Sequence, residues 1–190
     1  MTAFDLTSVR IGDVVTSGKT KTAPVTGSGG QAVAANMDAM QVCFEPSAFQ
    51  DDQATRVNLV LRPDEATVSS LDAVDEWIVA AVTKDSLRLL GKSKTQEQVQ
   101  ELYLPIVKRS GKYPPQIRAK MNSSKPRCVN VWNSEGVQQE LPFSWTGLVV
   151  KPRLQFRSLY FATGQFGVVL ECSDLMLLEQ TTVAATCPFD

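Results

Sequence analysis

Three short stretches each present a polar face, two of them basic and one with a tryptophan. Successive side chains of a strand point to opposite faces. In residues 116–121 that rule puts Gln116, Arg118 and Lys120 on one face and Ile117, Ala119 and Met121 on the other. In the stretch from Lys151, the residues Lys151, Arg153, Gln155 and Arg157 share a face, with Leu154 and Phe156 opposite. In residues 128–132, Val129 and Val131 suit a core, which leaves Asn130 and Trp132 together on the polar side. The basic turn Lys108-Arg109-Ser110-Gly111-Lys112-Tyr113-Pro114-Pro115 adds three cations and a second aromatic. Cations that follow phosphates, interleaved with rings on which bases stack at about 1–3 kcal/mol per base, are the equipment of single-strand binding. The phosphate contacts expected are Lys108, Arg109, Lys112, Arg118, Lys120, Arg153 and Arg157; Tyr113 and Trp132 are the expected platforms, with Asn130 beside Trp132. Trp145 is a third, weaker platform, and core packing is the alternative for each ring. Phe156, Tyr160 and Phe161 are assigned to the core.

Charge segregation supports the same ligand class. The chain of 190 residues has a net charge of −1. Residues 1–83 carry −6, residues 84–157 carry +9, and residues 158–190 carry −4 with no Lys or Arg. A basic block gathered on one face sets up a field that polyphosphate complements by releasing its counterions. The competing explanations are a solvated basic surface and a face that meets an acidic neighbouring subunit.

Other chemistry is poorly provided for. Gly18-Lys19-Thr20 ends like a phosphate-binding loop, but that motif needs a glycine at position 13, which is Asp13. Gly27-Ser28-Gly29-Gly30 opens no helix and is not a dinucleotide fingerprint. The chain has no histidine, the commonest general base. The carboxylate pairs Asp51/Asp52, Asp64/Glu65 and Asp75/Glu76 sit among turn and surface signals. Cys43, Cys128, Cys172 and Cys187 are far apart, which argues for reduced thiols and against a metal site. No catalysis and no cofactor are expected. The first residues lack a signal-peptide pattern and no stretch reaches a membrane span, so an intracellular protein is expected, in the host nucleus or cytoplasm if viral.

The elements that must position these side chains read as strands, then helices, then strands. Alternation predicts a first strand at 4–15, others at 37–44 and 56–61, and a Gly/Ser/Thr-rich flexible loop at 16–36. A helix is predicted to open at Ser69/Ser70, with Leu71, Val74, Ile78, Val82 and Leu89 on its apolar face and Gly91 as terminator. Thr95 with Gln98 forms the signature of a capping box for a second helix, residues 96–103. Strands follow at 116–121, 128–132, 137–141, 148–161 and 166–179, with a hairpin turn at Asn133-Ser134-Glu135-Gly136. The expected fold class is mainly β: one domain over residues 1–190, an OB-like barrel with a helical insertion at about residues 69–104 and a short C-terminal tail at 180–190.

Several segments together resemble the OB-fold single-stranded DNA-binding proteins of large eukaryotic DNA viruses and, more distantly, of phages. They are Glu76-Trp77-Ile78, then Tyr103-Leu104-Pro105-Ile106-Val107-Lys108, then Lys112-Tyr113-Pro114-Pro115-Gln116-Ile117-Arg118-Ala119-Lys120-Met121. Residues 154–161, with their aromatic pair Tyr160-Phe161, and Phe166-Gly167-Val168-Val169-Leu170 complete the pattern. The likeness spans roughly residues 56–179. It implies sequence-tolerant binding and protection of single-stranded DNA in replication or recombination, without catalysis, with RNA as the other candidate strand. It further implies homo-oligomers and replication proteins as partners, the latter recruited through the C-terminal tail. The tail departs from the pattern, since Cys187-Pro188-Phe189-Asp190 is only mildly acidic. The rival function is a viral coat or assembly subunit whose basic face touches genome or a neighbour. A third, weaker alternative is a nucleic-acid enzyme on the same fold.

Overall fold

The structure is a computed structural model, and it describes residues 4–18, 20–48 and 54–178. The tail at 180–190, Lys19, Asp51/Asp52 and Cys187 lie outside the described residues. In chain order the strands are β1 (Arg10–Ile11), β2 (Val15–Ser17), β3 (Thr20–Thr26), β4 (Val33–Asn36), β5 (Met40–Val42) and β6 (Arg56–Arg62). Three helices follow, α1 (Glu65–Lys84), α2 (Ser86–Leu90) and α3 (Gln96–Leu102). The chain then forms β7 (Tyr103–Leu104), β8 (Lys108–Ser110), β9 (Tyr113–Asn122), β10 (Asn130–Trp132), β11 (Gln138–Gln139), β12 (Val149–Ala162) and β13 (Gln165–Leu177).

The strands form where apolar and polar residues alternate. In β6, Val57, Leu59 and Leu61 are buried while Arg56 and Arg62 are exposed. In β9, Ile117, Ala119 and Met121 are buried between outward Arg118 and Lys120. β12 runs antiparallel to β13 and to β5, β5 to β6, and β6 to β9; β9 then meets β13 in parallel at Lys120 and Glu171. This circuit of β12, β5, β6, β9 and β13 is a closed five-strand barrel, and closure removes the exposed edges of an open sheet. The architecture is therefore the expected OB-like barrel with a helical insertion, which lies between β6 and β9. Its core includes Leu59, Leu61, Ile117, Met121, Leu154, Phe156, Leu159 and Leu175, continuous with the buried face of α1 at Leu71, Val74, Ile78 and Val82. No helix among the described residues is long and apolar enough to cross a membrane.

The segment 16–36 differs from the flexible loop expected of its composition. Apart from Lys19, it forms the end of β2, then β3 and β4, with Gly18 in a turn and 27–32 between strands. Ala23 and Val25 on β3, and Val33 and Ala35 on β4, are buried. Both strands lie against β12, with Tyr160 opposite Thr22 and Leu154 opposite Ala35. Small and β-branched side chains that look like linker composition here fill a close approach between strands.

The insertion also starts earlier than its pattern indicates. Asp64, not Ser69 or Ser70, is the N-cap of α1, and its carboxylate accepts the Thr67 amide at 2.7 Å. The helical run breaks at Asp85, so Leu89 belongs to the short α2, which ends at Gly91 with φ 74°. The capping box at Thr95 and Gln98 forms as its signature indicates.

Asp75 ties α1 to the strand side. Its carboxylate accepts the Tyr103 hydroxyl and, at 3.1 Å, the Ile106 amide. Burial pushes this carboxyl from 3.8 up to about 6, although those hydrogen bonds pull the other way. A carboxyl raised in the folded state binds its proton more tightly folded than unfolded. Its contribution to stability is therefore complete below pH 3.8 and is lost as pH rises through about 6. Allowing for partial exposure, the loss from pH 5 to pH 8 is of order 1 kcal/mol. Thermal unfolding across that range should fall more steeply with pH in the wild-type protein than in Asp75→Asn. Equal slopes would show that Asp75 titrates as an ordinary surface carboxyl.

Candidate nucleic-acid interface

The outward residues of five neighbouring strands line one continuous groove. β6 contributes Arg56 and Asn58; β9 contributes Arg118, Lys120 and Asn122. β13 contributes Val169 and Glu171, β12 Arg157, Ser158 and Tyr160, and β3 Thr20, Thr22 and Pro24. Lys108, Arg109 and Arg127 stand at its ends. The two halves of the groove, about 800 and 740 Å³, share Thr20, Lys120, Tyr160 and Val169. Among the described residues, seven Lys or Arg side chains line it against a single carboxylate, Glu171.

That carboxylate organises cations and does not neutralise them. Glu171 Oε2 lies 3.2 Å from Arg56 Nη2 and 3.7 Å from Arg157 Nε, and both guanidinium groups stay about half exposed. Lys120, directly across the ladder from Glu171, is pushed below the usual lysine value by burial and then by the nearby Arg56 and Arg118 charges. Like charges gathered this closely repel one another, and an incoming phosphate relieves the repulsion. Arg109 is held differently: its Nη2 donates to both Asp72 carboxylate oxygens, at 2.8 and 2.6 Å.

Tyr160 lies across the middle of the groove. Alternation from Lys151 would turn it inward beside Leu154 and Phe156. A register break between Phe156 and Ser158 shifts the pattern by one, so Arg157 is followed on the outer side by Ser158 and Tyr160, while Leu159 is buried. The ring packs against Gly167, its pair on β13; a Cβ there would come within 2.9 Å of the Tyr160 Oη, Cε1 and Cζ atoms. Burial raises the Tyr160 hydroxyl and the nearby Arg118 charge lowers it, with a net rise. Tyr160 is thus a half-buried aromatic plane flanked by cations, and the assignment of this residue to the core is corrected.

The residues predicted from sequence divide among three places. Lys108, Arg109, Arg118, Lys120 and Arg157 come together in the groove. Lys112 and Tyr113 lie at the turn joining β8 to β9, where Tyr113 is 67% exposed. Asn130, Trp132 and Arg153 gather away from it, around Asp174 on β13: Asn130 Nδ2 and Trp132 Nε1 donate to Asp174 Oδ1 at 3.0 and 3.3 Å, and Arg153 is paired with Asp174 across the strands. Trp145 is buried, 6% exposed, its amide held by Glu45 at 2.9 Å, so it is no platform.

Sequence reasoning missed Arg56, Arg127 and Tyr160. Arg56 was open to discovery, because Arg56, Asn58 and Val60 share the polar side of a recognisable strand. It lies outside the basic block, and only strand pairing carries it next to Lys120. No periodic signal marks the register break that exposes Tyr160.

No family model matches this chain, and no curated protein matches it. Solved structures do. A single-stranded DNA-binding protein from bacteriophage Enc34, in complex with ssDNA, matches at 13% identity over 95% of this chain and 99% of that one, with a TM-score of 0.52. The bacteriophage T7 single-stranded DNA-binding protein gp2.5 matches at 13% identity over 82% of this chain and 91% of that one, with a TM-score of 0.54. A C-terminal truncation of the Enc34 protein matches at 10% identity, over 90% and 95% of the chains, with a TM-score of 0.51. At such identities the likeness is one of fold: the chain has the OB-like barrel architecture of phage single-stranded DNA-binding proteins.

Proposed function

We propose that this protein binds single-stranded DNA in the five-strand groove, largely without regard to sequence, and coats and protects it during replication or recombination without catalysing a reaction. The observation that carries this reading is the groove itself, along which, among the described residues, seven cations and one carboxylate are set out with Tyr160 at its middle. Phosphates would meet Arg118, Lys120, Arg56 and Arg157, and a base would stack on Tyr160. Lys108, Lys112 and Tyr113 would extend the path along the β8–β9 hairpin, and Arg109 would join on release from Asp72. The solved structures of the same fold are of proteins described as single-stranded DNA-binding. RNA is the competing strand, and replication proteins and further copies of the chain are the proposed partners.

Binding should favour single strands over duplex, with log affinity falling linearly with log salt at about −0.7 per phosphate contact. The Arg118→Ala/Lys120→Ala double variant should weaken binding and flatten that slope by about 1.4. Equal affinity for duplex, or indifference to salt, would overturn the single-strand reading and favour a coat or assembly role.

Stacking is tested at Tyr160. Tyr160→Ala should cost about 1–3 kcal/mol of binding, while Tyr160→Phe should keep most of the affinity because a flat ring remains. Equal losses in the two variants would mean that the hydroxyl, not the ring, matters. Unchanged affinity in both would move the strand out of the groove.

A further inference from the structure

Beyond the groove, on the same outward side of β12, lies a second pocket of about 470 Å³. Trp132, Met176, Lys151, Asp174 and Arg153 line it, and they belong to two rows of side chains that cross β10, β13 and β12. One row is Asn130, Asp174 and Arg153; the next is Trp132, Met176 and Lys151. Three strands span about 10 Å, so an indole at one side of the pocket faces two cations at the other. Asp174 stands between them. Its Oδ1 takes both the Asn130 and Trp132 donors, and a carboxylate has capacity for about four. Burial raises the Asp174 carboxyl, but the Asn130, Ser173 and Trp132 side chains and the Arg153 charge leave it below its usual value, so it is an acceptor at neutral pH.

This arrangement fits one nucleotide. A flat ring takes a base, two cations take its phosphate, and an ionised carboxylate reads a donor on the base edge. The pocket also lies on the path of the groove: Arg157, Gln155, Arg153 and Lys151 follow one another along β12, and Arg157 to Arg153 is about 13 Å. Cytosine offers the N4 amine to a carboxylate, whereas thymine offers the O4 carbonyl at the same position. We propose that the pocket holds one base of the bound strand over Trp132 and selects cytosine over thymine through Asp174. This rests on the single-strand reading and adds to it a base preference at one position of an otherwise sequence-tolerant track.

The test compares fluorescence anisotropy titrations of labelled oligo(dC) and oligo(dT) of equal length, at one salt concentration and slightly alkaline pH. The wild-type protein should bind oligo(dC) about tenfold more tightly. In Asp174→Ala the ratio should fall to about one because the oligo(dC) affinity falls. Asp174→Asn, which keeps an acceptor for Asn130 and Trp132, should reduce the ratio several-fold and stands in if the alanine variant does not fold. Equal wild-type affinities for the two oligonucleotides would overturn the pocket and leave the groove standing. So would an Asp174→Ala variant that weakens both alike. Failure to bind either oligonucleotide would sink the single-strand reading and the pocket with it.

Discussion

The long antiparallel pairing of β12 with β13 is the constraint on which the rest depends. It runs from Val150 opposite Leu177 to Ala162 opposite Gln165. Its inner side supplies Leu154, Phe156, Leu159, Leu170 and Leu175 to the core. Its outer side supplies Arg157, Tyr160 and Glu171 to the groove and Lys151, Arg153 and Asp174 to the second pocket. Two register breaks, between Arg153 and Leu154 and between Phe156 and Ser158, let the pair bend around the barrel. The same break that bends the pair turns Tyr160 outward, so fold closure and the exposure of the aromatic plane have one physical cause.

Electrostatics and packing work against each other on this surface. Arg56, Arg118, Lys120 and Arg157 would be more stable further apart; Lys120 is pushed below the usual lysine value first by burial and then by the Arg56 and Arg118 charges. Glu171 offsets part of it through two half-exposed ion pairs, each worth no more than about 1 kcal/mol. The remaining positive potential is the property that a polyanion uses. Arg109 shows the other solution, with its guanidinium held by Asp72 of α1. The helical insertion thereby reaches the groove both through that pair and through the Asp75 contacts to Tyr103 and Ile106.

Much of this was legible from alternation. The outward rows on β9 and the first half of β12, the capping box at Thr95 and the hairpin at Asn133 follow from local rules, and the structure has them. Two features were not legible, for physical reasons. Composition alone could not distinguish the strands of residues 20–36 from a linker, because Ala, Thr and Val suit a close strand approach as well as a loop. Nor could a period-two rule survive the register break between Phe156 and Ser158, which is why Tyr160 was assigned to the core. Trp132 and Arg153 do lie on an outward surface, but strand pairing takes them to Asp174 and away from Arg118 and Lys120. Neighbour relations between strands distant in sequence, such as Arg56 beside Lys120, are set by barrel closure and by nothing local.

The central claim is that a single strand lies in the groove with a base against Tyr160. Photocrosslinking tests it most directly: oligonucleotides carrying 5-iododeoxyuridine in place of thymidine, irradiated in the complex and followed by peptide mass spectrometry. The principal adduct should fall on Tyr160 and disappear in Tyr160→Ala. A principal adduct on the exposed Phe44 or Phe143, with none on the groove strands, would contradict it and place the binding surface elsewhere.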